Sequence, residues 1–232
     1  MENNKVLILD DEDSIRQFMK INLEYQGYQT VEAATGEEAL RLFEEEDPAV
    51  AILDVMLPGI SGFDVCEAIR EKSPRTGIIM VSAKSQDIDK ILGLERGADD
   101  YIIKPFNPQE LILRVRSLMR RVNLSVDKPE AENAKNISDG PFTLDLYAKT
   151  FYKDQTEIDV TPTEFAILKN FIQNKGKAMT RDEIMEQTWG ENYSNDTKIV
   201  DVNIRRIRAK IEEDPAKPQF IETVWGTGYR WK

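Results

Sequence analysis

An alternation over the first half most constrains what this chain can fold into. Five short apolar runs are separated by amphipathic helical stretches. Val6-Leu7-Ile8-Leu9 is apolar throughout and ends in acids, the pattern of a strand covered on both faces in a parallel sheet. Tyr28–Val31, Ala49–Leu53, Gly77–Val81 and Tyr101–Ile103 supply the other runs. The first helical stretch carries Ile15, Phe18, Met19 and Leu23 on one side and stops before Gly27. Thr35-Gly36-Glu37-Glu38 reads as a capping box opening a helix to Glu45. Gly62–Lys72 and Ser85–Arg96 follow, and Asn107-Pro108-Gln109-Glu110 starts a helix that runs to Arg121. Residues 1–121 therefore predict a doubly wound α/β domain with five parallel strands.

The rest of the chain reads differently. Residues 122–139 are rich in Asn, Asp, Glu, Lys, Ser and Pro and lack periodicity, so a flexible linker is expected there. Residues 140–232 predict an α+β domain. Short strands fall at Phe142–Leu146, Thr150–Lys153 and Glu157–Val160. Thr161-Pro162-Thr163-Glu164 then opens a helix, Thr180-Arg181-Asp182-Glu183 opens another, and a long helix covers Asp196–Glu212. A terminal hairpin is expected around Trp225-Gly226-Thr227.

Charge narrows the function. The net charge of −11 argues against a protein that coats nucleic acid nonspecifically. The deficit is uneven, however: residues 1–121 hold 15 bases against 23 acids, and residues 140–232 hold 14 against 15. There is no histidine, which excludes histidine-based catalysis and histidine metal ligation. Cys66, the only cysteine, lies in an apolar helical stripe and reads as a buried structural thiol in a reducing compartment. No apolar run approaches the roughly 20 residues of a membrane span, and Met1 to Lys5 carry no signal-peptide pattern. A cytoplasmic protein without a membrane partner is expected.

In an open parallel sheet, ligands bind beyond the carboxyl ends of the strands. Asp10 and Asp11 follow the first strand here, Asp54 the third, Ser82 the fourth and Lys104-Pro105 the fifth. Three gathered carboxylates need a cation, and oxygen ligands with room for water suit Mg²⁺ or Mn²⁺. A metal and a lysine together neutralise phosphoryl oxygens. An aspartate among them can act as nucleophile and become an acyl phosphate. Taken singly, each of these residues is an ordinary loop charge or cap; the ordered set is not.

Leu9-Asp10-Asp11-Glu12, Leu53-Asp54-Val55-Met56-Leu57-Pro58-Gly59, Val81-Ser82-Ala83 and Lys104-Pro105-Phe106 resemble the response-regulator receiver domain over residues 5–121. The resemblance implies that Asp54 takes phosphate from a sensor histidine kinase. It implies Asp10, Asp11, Asp54 and the backbone carbonyl of Met56 as metal ligands, Ser82 and Lys104 as contacts of the phosphoryl group, and a cis Lys104–Pro105 bond. Tyr101 has two readings: a core aromatic of the strand, or, by the resemblance, a ring that moves inward when Ser82 engages phosphate.

The stretch Asp89-Lys90-Ile91-Leu92-Gly93-Leu94-Glu95 through Gly97-Ala98-Asp99-Asp100-Tyr101 resembles the OmpR/PhoB subfamily, whose effectors are winged helices. That implies a homodimer on phosphorylation, with Lys90 paired to Glu110, Asp100 to Arg114 and Asp99 to Arg121 across it. The alternative is a solvated surface with minor ion pairs.

In the long helix, Val200, Ile204, Ile207 and Ile211 fall on one side at 100° per residue. Lys198, Val202, Arg205, Arg206 and Ala209 fall opposite, flanked by Asn203, Arg208 and Lys210. Five bases against one acid, Asp201, make this stretch a basic stripe that suits a major groove. The segments Thr161–Phe165, Val200–Arg208 and Gly226–Arg230 resemble the winged-helix effector of the same subfamily. By that match Arg206 and Val202 read bases, while Lys198, Asn203, Arg205, Arg208, Arg181 and Thr227 contact phosphates of double-stranded DNA. RNA polymerase is an expected further partner.

Two other readings compete with a phosphorylation-gated DNA-binding regulator. An Mg²⁺-dependent phosphohydrolase with an aspartate nucleophile usually carries a second acid close after it, and Val55 and Met56 stand there instead. A receiver whose second domain binds only protein leaves the arginines at 205 and 206 without a purpose. The sequence therefore reads as a regulator rather than an enzyme.

Overall fold

The computed structural model describes residues 3–83, 87–123, 136–190, 193 and 197–232. Its first half follows the alternation. In order, the elements are β1 (Lys5–Leu9), α1 (Asp13–Tyr25), β2 (Gln29–Ala33), α2 (Gly36–Glu46), β3 (Val50–Asp54), α3 (Gly62–Lys72), β4 (Gly77–Ser82), α4 (Asp87–Glu95), β5 (Asp100–Ile103) and α5 (Pro108–Asn123). The five strands are parallel in the order β2-β1-β3-β4-β5. The chain reverses direction across the sheet between β1 and β3, so the crevice at their carboxyl ends is the topological switch point. Val6, Ile8, Ile52, Ile79, Val81 and Ile102 of the sheet pack in one core with Met19 and Leu23 of α1 and Leu111, Val115 and Leu118 of α5.

Local chemistry sets the helix starts. Ser61 and Asp64 form a reciprocal capping box at α3. At α2, Thr35 accepts from the Glu38 amide, but the Glu38 carboxylate turns to the Ala34 amide at 2.9 Å, so the expected box is half formed. Asn107 accepts from the Gln109 amide at 2.8 Å, while Glu110 is drawn to Arg114. Gly62 has a steric role: a Cβ on it would stand 1.9 Å from the Asp54 carbonyl oxygen. Only glycine lets α3 begin so close to the end of β3.

The second unit opens on an antiparallel four-stranded sheet, β6 (Asn136–Asp139), β7 (Phe142–Asp145), β8 (Thr150–Lys153) and β9 (Thr156–Ile158). Helix α6 (Pro162–Gln173), β10 (Ala178–Thr180), α7 (Arg181–Trp189), α8 (Lys198–Ile211), β11 (Ile221–Val224) and β12 (Gly228–Trp231) follow. The last three strands form a second sheet in the order β10-β12-β11. Capping boxes at Thr161/Glu164 and Thr180/Glu183 start α6 and α7. Phe142 is the centre of an aromatic core, with Phe151, Phe220 and Trp231 ring centroids 5.5, 4.6 and 5.2 Å away.

One sequence expectation needs correction. The segment expected to be a linker, 122–139, is structured at both ends: Val122 and Asn123 finish α5, and 136–139 are β6. Polar composition misled there, because Asp139 accepts from the Trp231 indole at 2.7 Å and pairs with Lys175. Those partners lie far along the chain. The remainder of the expected linker, 124–135, lies outside the described residues, as do Ser85 and Asp196, the expected starts of two helices. Strand β10 carries no sequence signal of its own; it exists because β12 pairs with it.

Candidate functional site

The strand ends at the switch point bring together the residues singled out from sequence. Lys104, after β5, places its Nζ 2.6 Å from Asp54 Oδ2 and 2.7 Å from Asp10 Oδ2. Asp10 and Asp54 are buried, whereas Asp11 is exposed. The other oxygens are also held: Asp54 Oδ1 accepts from the Met56 amide and Asp10 Oδ1 from the Glu12 amide, each at 3.0 Å. Arg16 donates to the Asp10 carbonyl oxygen at 2.8 Å. The Lys104–Pro105 bond is cis.

The electrostatics follow from the count of charges. Burial pushes the Asp10 carboxyl above its ordinary range, and the Asp54 charge adds to this against the pull of Lys104. Burial alone would lower Lys104, but hydrogen bonds and charge from Asp10 and Asp54 outweigh it and hold the ammonium above its ordinary value. One lysine cannot neutralise three carboxylates. Ligand oxygens of Asp10, Asp11 and Asp54 lie within 4.8 Å of one another, a donor set that fits a hard divalent cation. Ser82 ends β4, buried, and its carbonyl accepts from the Lys104 amide at 2.8 Å. Tyr101 is buried in β5.

At β5 and α5, Asp99, Asp100, Glu110 and Arg114 find partners within the chain. Arg114 reaches Asp100 Oδ1 at 3.0 Å and Glu110 Oε1 at 2.5 Å. Asp99 is fully buried, held by Arg70 at 2.9 Å and by the Ile78 amide at 3.0 Å. Arg121 is buried and donates to the Ser117 carbonyl at 3.3 Å. Lys90 is half-buried. Arg70 was missed from sequence: it also donates to the Gly97, Pro74 and Thr76 carbonyls, and such backbone clamping leaves no local pattern.

In the second unit the basic helix is more deeply seated than its angular pattern indicates. Val202 and Asn203, expected on the exposed side of α8, are buried, and Asn203 Nδ2 donates to the Ile199 carbonyl at 2.8 Å. The wheel assumed one packing face, but α8 packs on both α6 and α7. Lys198, Arg205 and Ala209 remain exposed. Arg206 is also displaced from its expected place: its Nε lies 2.9 Å from Glu164 Oε1, with Lys210 on the other oxygen at 2.6 Å. Burial would raise the Glu164 carboxyl, but Arg206 and Lys210 outweigh it and hold it below its ordinary range. Arg208 donates to the Ile221 carbonyl and to Thr223 Oγ1 at 3.0 Å. Arg181 pairs with Asp201 at 2.7 Å and lies over the Tyr229 ring. Thr227 is exposed at the turn between β11 and β12. The capping motif marked Glu164 as a helix start, but nothing in the sequence tied it to cations some forty residues on.

An acid–lysine pocket at the switch point of a doubly wound sheet, followed by a helical domain with a basic helix and a terminal hairpin, defines a phosphoacceptor module joined to a DNA-binding one. Comparison with known proteins agrees on both halves. The profile described as response regulator receiver domain matches residues 6–116, and the one described as transcriptional regulatory protein, C terminal, matches 155–231. The chain is 41% identical to a probable transcriptional regulator, ycf27, of Porphyridium aerugineum, covering 99% of this chain and 96% of that one. It is 40% identical to the alkaline phosphatase synthesis transcriptional regulatory protein PhoP of Bacillus subtilis (strain 168), covering 98% and 96%. Among solved structures, the response regulator DrrB of Thermotoga maritima, an OmpR/PhoB homologue, is 34% identical with a TM-score of 0.52 over 98% of both chains. The chain belongs to the OmpR/PhoB family of two-component response regulators. It is a transcriptional regulator with a receiver domain and a DNA-binding domain.

Proposed function

We propose that Asp54 is the phosphoacceptor and that its phosphorylation by a sensor histidine kinase controls DNA binding through receiver dimerisation. The observation that carries this is Lys104 held between Asp54 and Asp10 at the switch point. A carboxylate oxygen of Asp54 would form a bond to phosphorus as the phosphorus–nitrogen bond of the kinase's phosphohistidine breaks and the imidazole leaves. Asp10, Asp11, Asp54 and the Met56 carbonyl would hold Mg²⁺ or Mn²⁺, whose charge offsets that of the phosphoryl oxygens. Lys104 and Ser82 would contact those oxygens, and Tyr101 would relay the change toward α4 and β5.

Phosphorylation adds close to two negative charges beside a site already rich in acid. We infer that the resulting shift re-pairs the α4–β5–α5 charges across a two-fold axis: Lys90 with Glu110, Asp100 with Arg114 and Asp99 with Arg121. The present engagement of Asp99 by Arg70, and of Asp100 and Glu110 by Arg114, would be what the unphosphorylated chain keeps to itself. Lys198, Arg205 and Thr227 are the DNA contacts that exposure supports best. Arg181, Arg206 and Arg208 would reach DNA only by giving up or sharing Asp201, Glu164 and the β11 edge. RNA polymerase is the proposed downstream partner, and the cytoplasm the proposed location; no described helix is long and apolar enough to cross a membrane.

An enzymatic reading is disfavoured because Met56, two residues after Asp54, offers no acid to hasten turnover. The test is labelling by a small acyl-phosphate donor with Mg²⁺. The intact chain should take up one acid-labile phosphate and Asp54→Ala none, and only the labelled intact chain should dimerise in sedimentation. Uptake by Asp54→Ala would overturn the assignment.

A further inference from the structure

We propose that Gly93 is a positioning residue that couples the Tyr101 ring to α4, so that movement of the ring tilts the helix. This rests on the Tyr101 relay and the receiver dimerisation proposed above. It deepens them by naming where the ring bears on the helix.

Glycine is a poor helix former, so one inside α4 needs a packing reason. Gly93 is buried, and its backbone is seated on side chains of three other elements. A Cβ on it would stand 2.9 Å from Met80 Sδ of β4, 3.4 Å from Phe63 Cε1 of α3 and 3.4 Å from Tyr101 Cδ2 of β5. At this one position the ring therefore faces the helix backbone itself.

The end of α4 is fixed close by. The Ala98 amide donates to the Gly93 carbonyl at 3.2 Å and the Gly97 amide to the Leu94 carbonyl at 3.1 Å, with φ +112° at Gly97. These paired bonds close the helix on its glycine. Arg70 of α3 then donates twice to the Gly97 carbonyl, at 3.1 and 2.8 Å, and pairs with Asp99 at 2.9 Å. Residues 97–99 are thereby tied to α3 and to the start of β5.

A helix held at its last residues and pushed one turn earlier tilts rather than slides. Lys90 lies one turn further from the held end than Gly93, so a tilt moves it more. Close-packed interiors transmit displacement because they leave no slack. A methyl group at position 93 would lift α4 off its seat, or push Met80 and the ring aside. Ring and helix would then no longer move as one.

The test separates phosphate uptake from dimerisation in the intact chain. Gly93→Ala should take up acid-labile phosphate from acetyl phosphate with Mg²⁺ as the parent does, because Asp54, Ser82 and Lys104 are unchanged. Its phosphorylated form should dimerise in sedimentation at least roughly fivefold more weakly, the lower end of ordinary coupling between sites. Tyr101→Leu removes the ring, and adding Gly93→Ala to it should change dimerisation no further. A loss of equal size with and without the ring, or no loss at all, would overturn the inference and leave Gly93 a matter of packing alone. Failed phosphate uptake by a folded Gly93→Ala would overturn it too, by placing the effect at the pocket. Should Gly93→Ala not fold, Met80→Ala added to it clears the tightest overlap, with the same loss expected. If the labelled parent stays monomeric, the dimerisation reading falls and the inference with it. A labelled parent that dimerises no better than labelled Gly93→Ala sinks the inference alone.

Discussion

Each half of the chain holds a three-membered charge cluster at a functional element, and these two are opposites. In the receiver, one cation, Lys104, serves two carboxylates, Asp10 and Asp54. In the DNA-binding domain, one carboxylate, Glu164, serves two cations, Arg206 and Lys210. The first stands at an open crevice with the exposed Asp11 beside it and is left with excess negative charge. The second is closed: Glu164 also accepts from the Thr161 amide at 2.9 Å, so its oxygens are committed to a helix start and to two side chains. An unbalanced cluster at a crevice invites a metal and a phosphoryl group. The Glu164 cluster, with its oxygens committed on all sides, ties the start of α6 to α8. Similar components thus give an open acidic crevice in one domain and a structural joint in the other.

The largest effect should come from breaking the joint. Removing one partner of a buried ion pair leaves uncompensated charge and costs about 3–5 kcal/mol. Glu164→Ala should lose about that much from the second domain in urea unfolding, with the receiver transition unmoved. The pH dependence has a definite sign. Glu164 is held below its ordinary range in the folded state, so its contribution is fully present above the unfolded glutamate pKa and is lost as pH falls through the depressed folded value. The parent should therefore lose stability in this domain on acidification below the ordinary glutamate range, and Glu164→Gln should lose less over the same window. Equal acid sensitivity in the two would mean that Glu164 does not carry the joint.

These two clusters also show what was legible in the sequence. The receiver pocket could be read because its residues stand at strand ends, and strand ends are marked by the change from apolar run to acid or lysine. Parallel topology then forces Asp10, Asp54, Ser82 and Lys104 onto one rim whatever the details of packing. The joint could not be read because helix periodicity gives the angle of a side chain but not how many neighbours surround the helix. Val202 and Asn203 sit on the side assigned to solvent and are buried, since α8 has helices on more than one side. β6 was hidden for a related reason: the partners of Asp139, Lys175 and Trp231, are distant in sequence.

An effect of middle size should separate the clusters by their response to metal. Lys104→Met removes the ammonium that pairs with both the Asp10 and the Asp54 carboxylates. The receiver should then melt lower without metal. Added Mg²⁺ should recover more of the loss than it adds to the parent, because ligand binding to the folded state alone stabilises it in proportion to the logarithm of saturation. The second domain, with no comparable group of acids among its described residues, should show no specific response. Equal Mg²⁺ shifts in parent and variant would mean that Lys104 and the metal do not share the work of neutralising the pocket.

The smallest effect on folding, and the most informative about function, should come from Arg205 set against its neighbour Arg206. Arg205 and Arg206 are neighbours in sequence, yet Arg205 is exposed and Arg206 is turned to Glu164. A cation that lies on phosphate contributes to the salt dependence of binding, with a slope of about −0.9 for each phosphate neutralised. Arg205→Ala should disturb the unfolding of the second domain less than Arg206→Ala does and reduce that slope by nearly one such contact. Arg206→Ala should destabilise the domain, because it leaves Glu164 with Lys210 alone. If Arg206 stays on Glu164 when DNA binds, its removal should alter affinity only as far as it loosens α8, equally for cognate and unrelated duplexes. A selective loss for the cognate duplex would show instead that Arg206 leaves Glu164 to read a base, and the joint in the second domain would then be as much a working part as the pocket in the first.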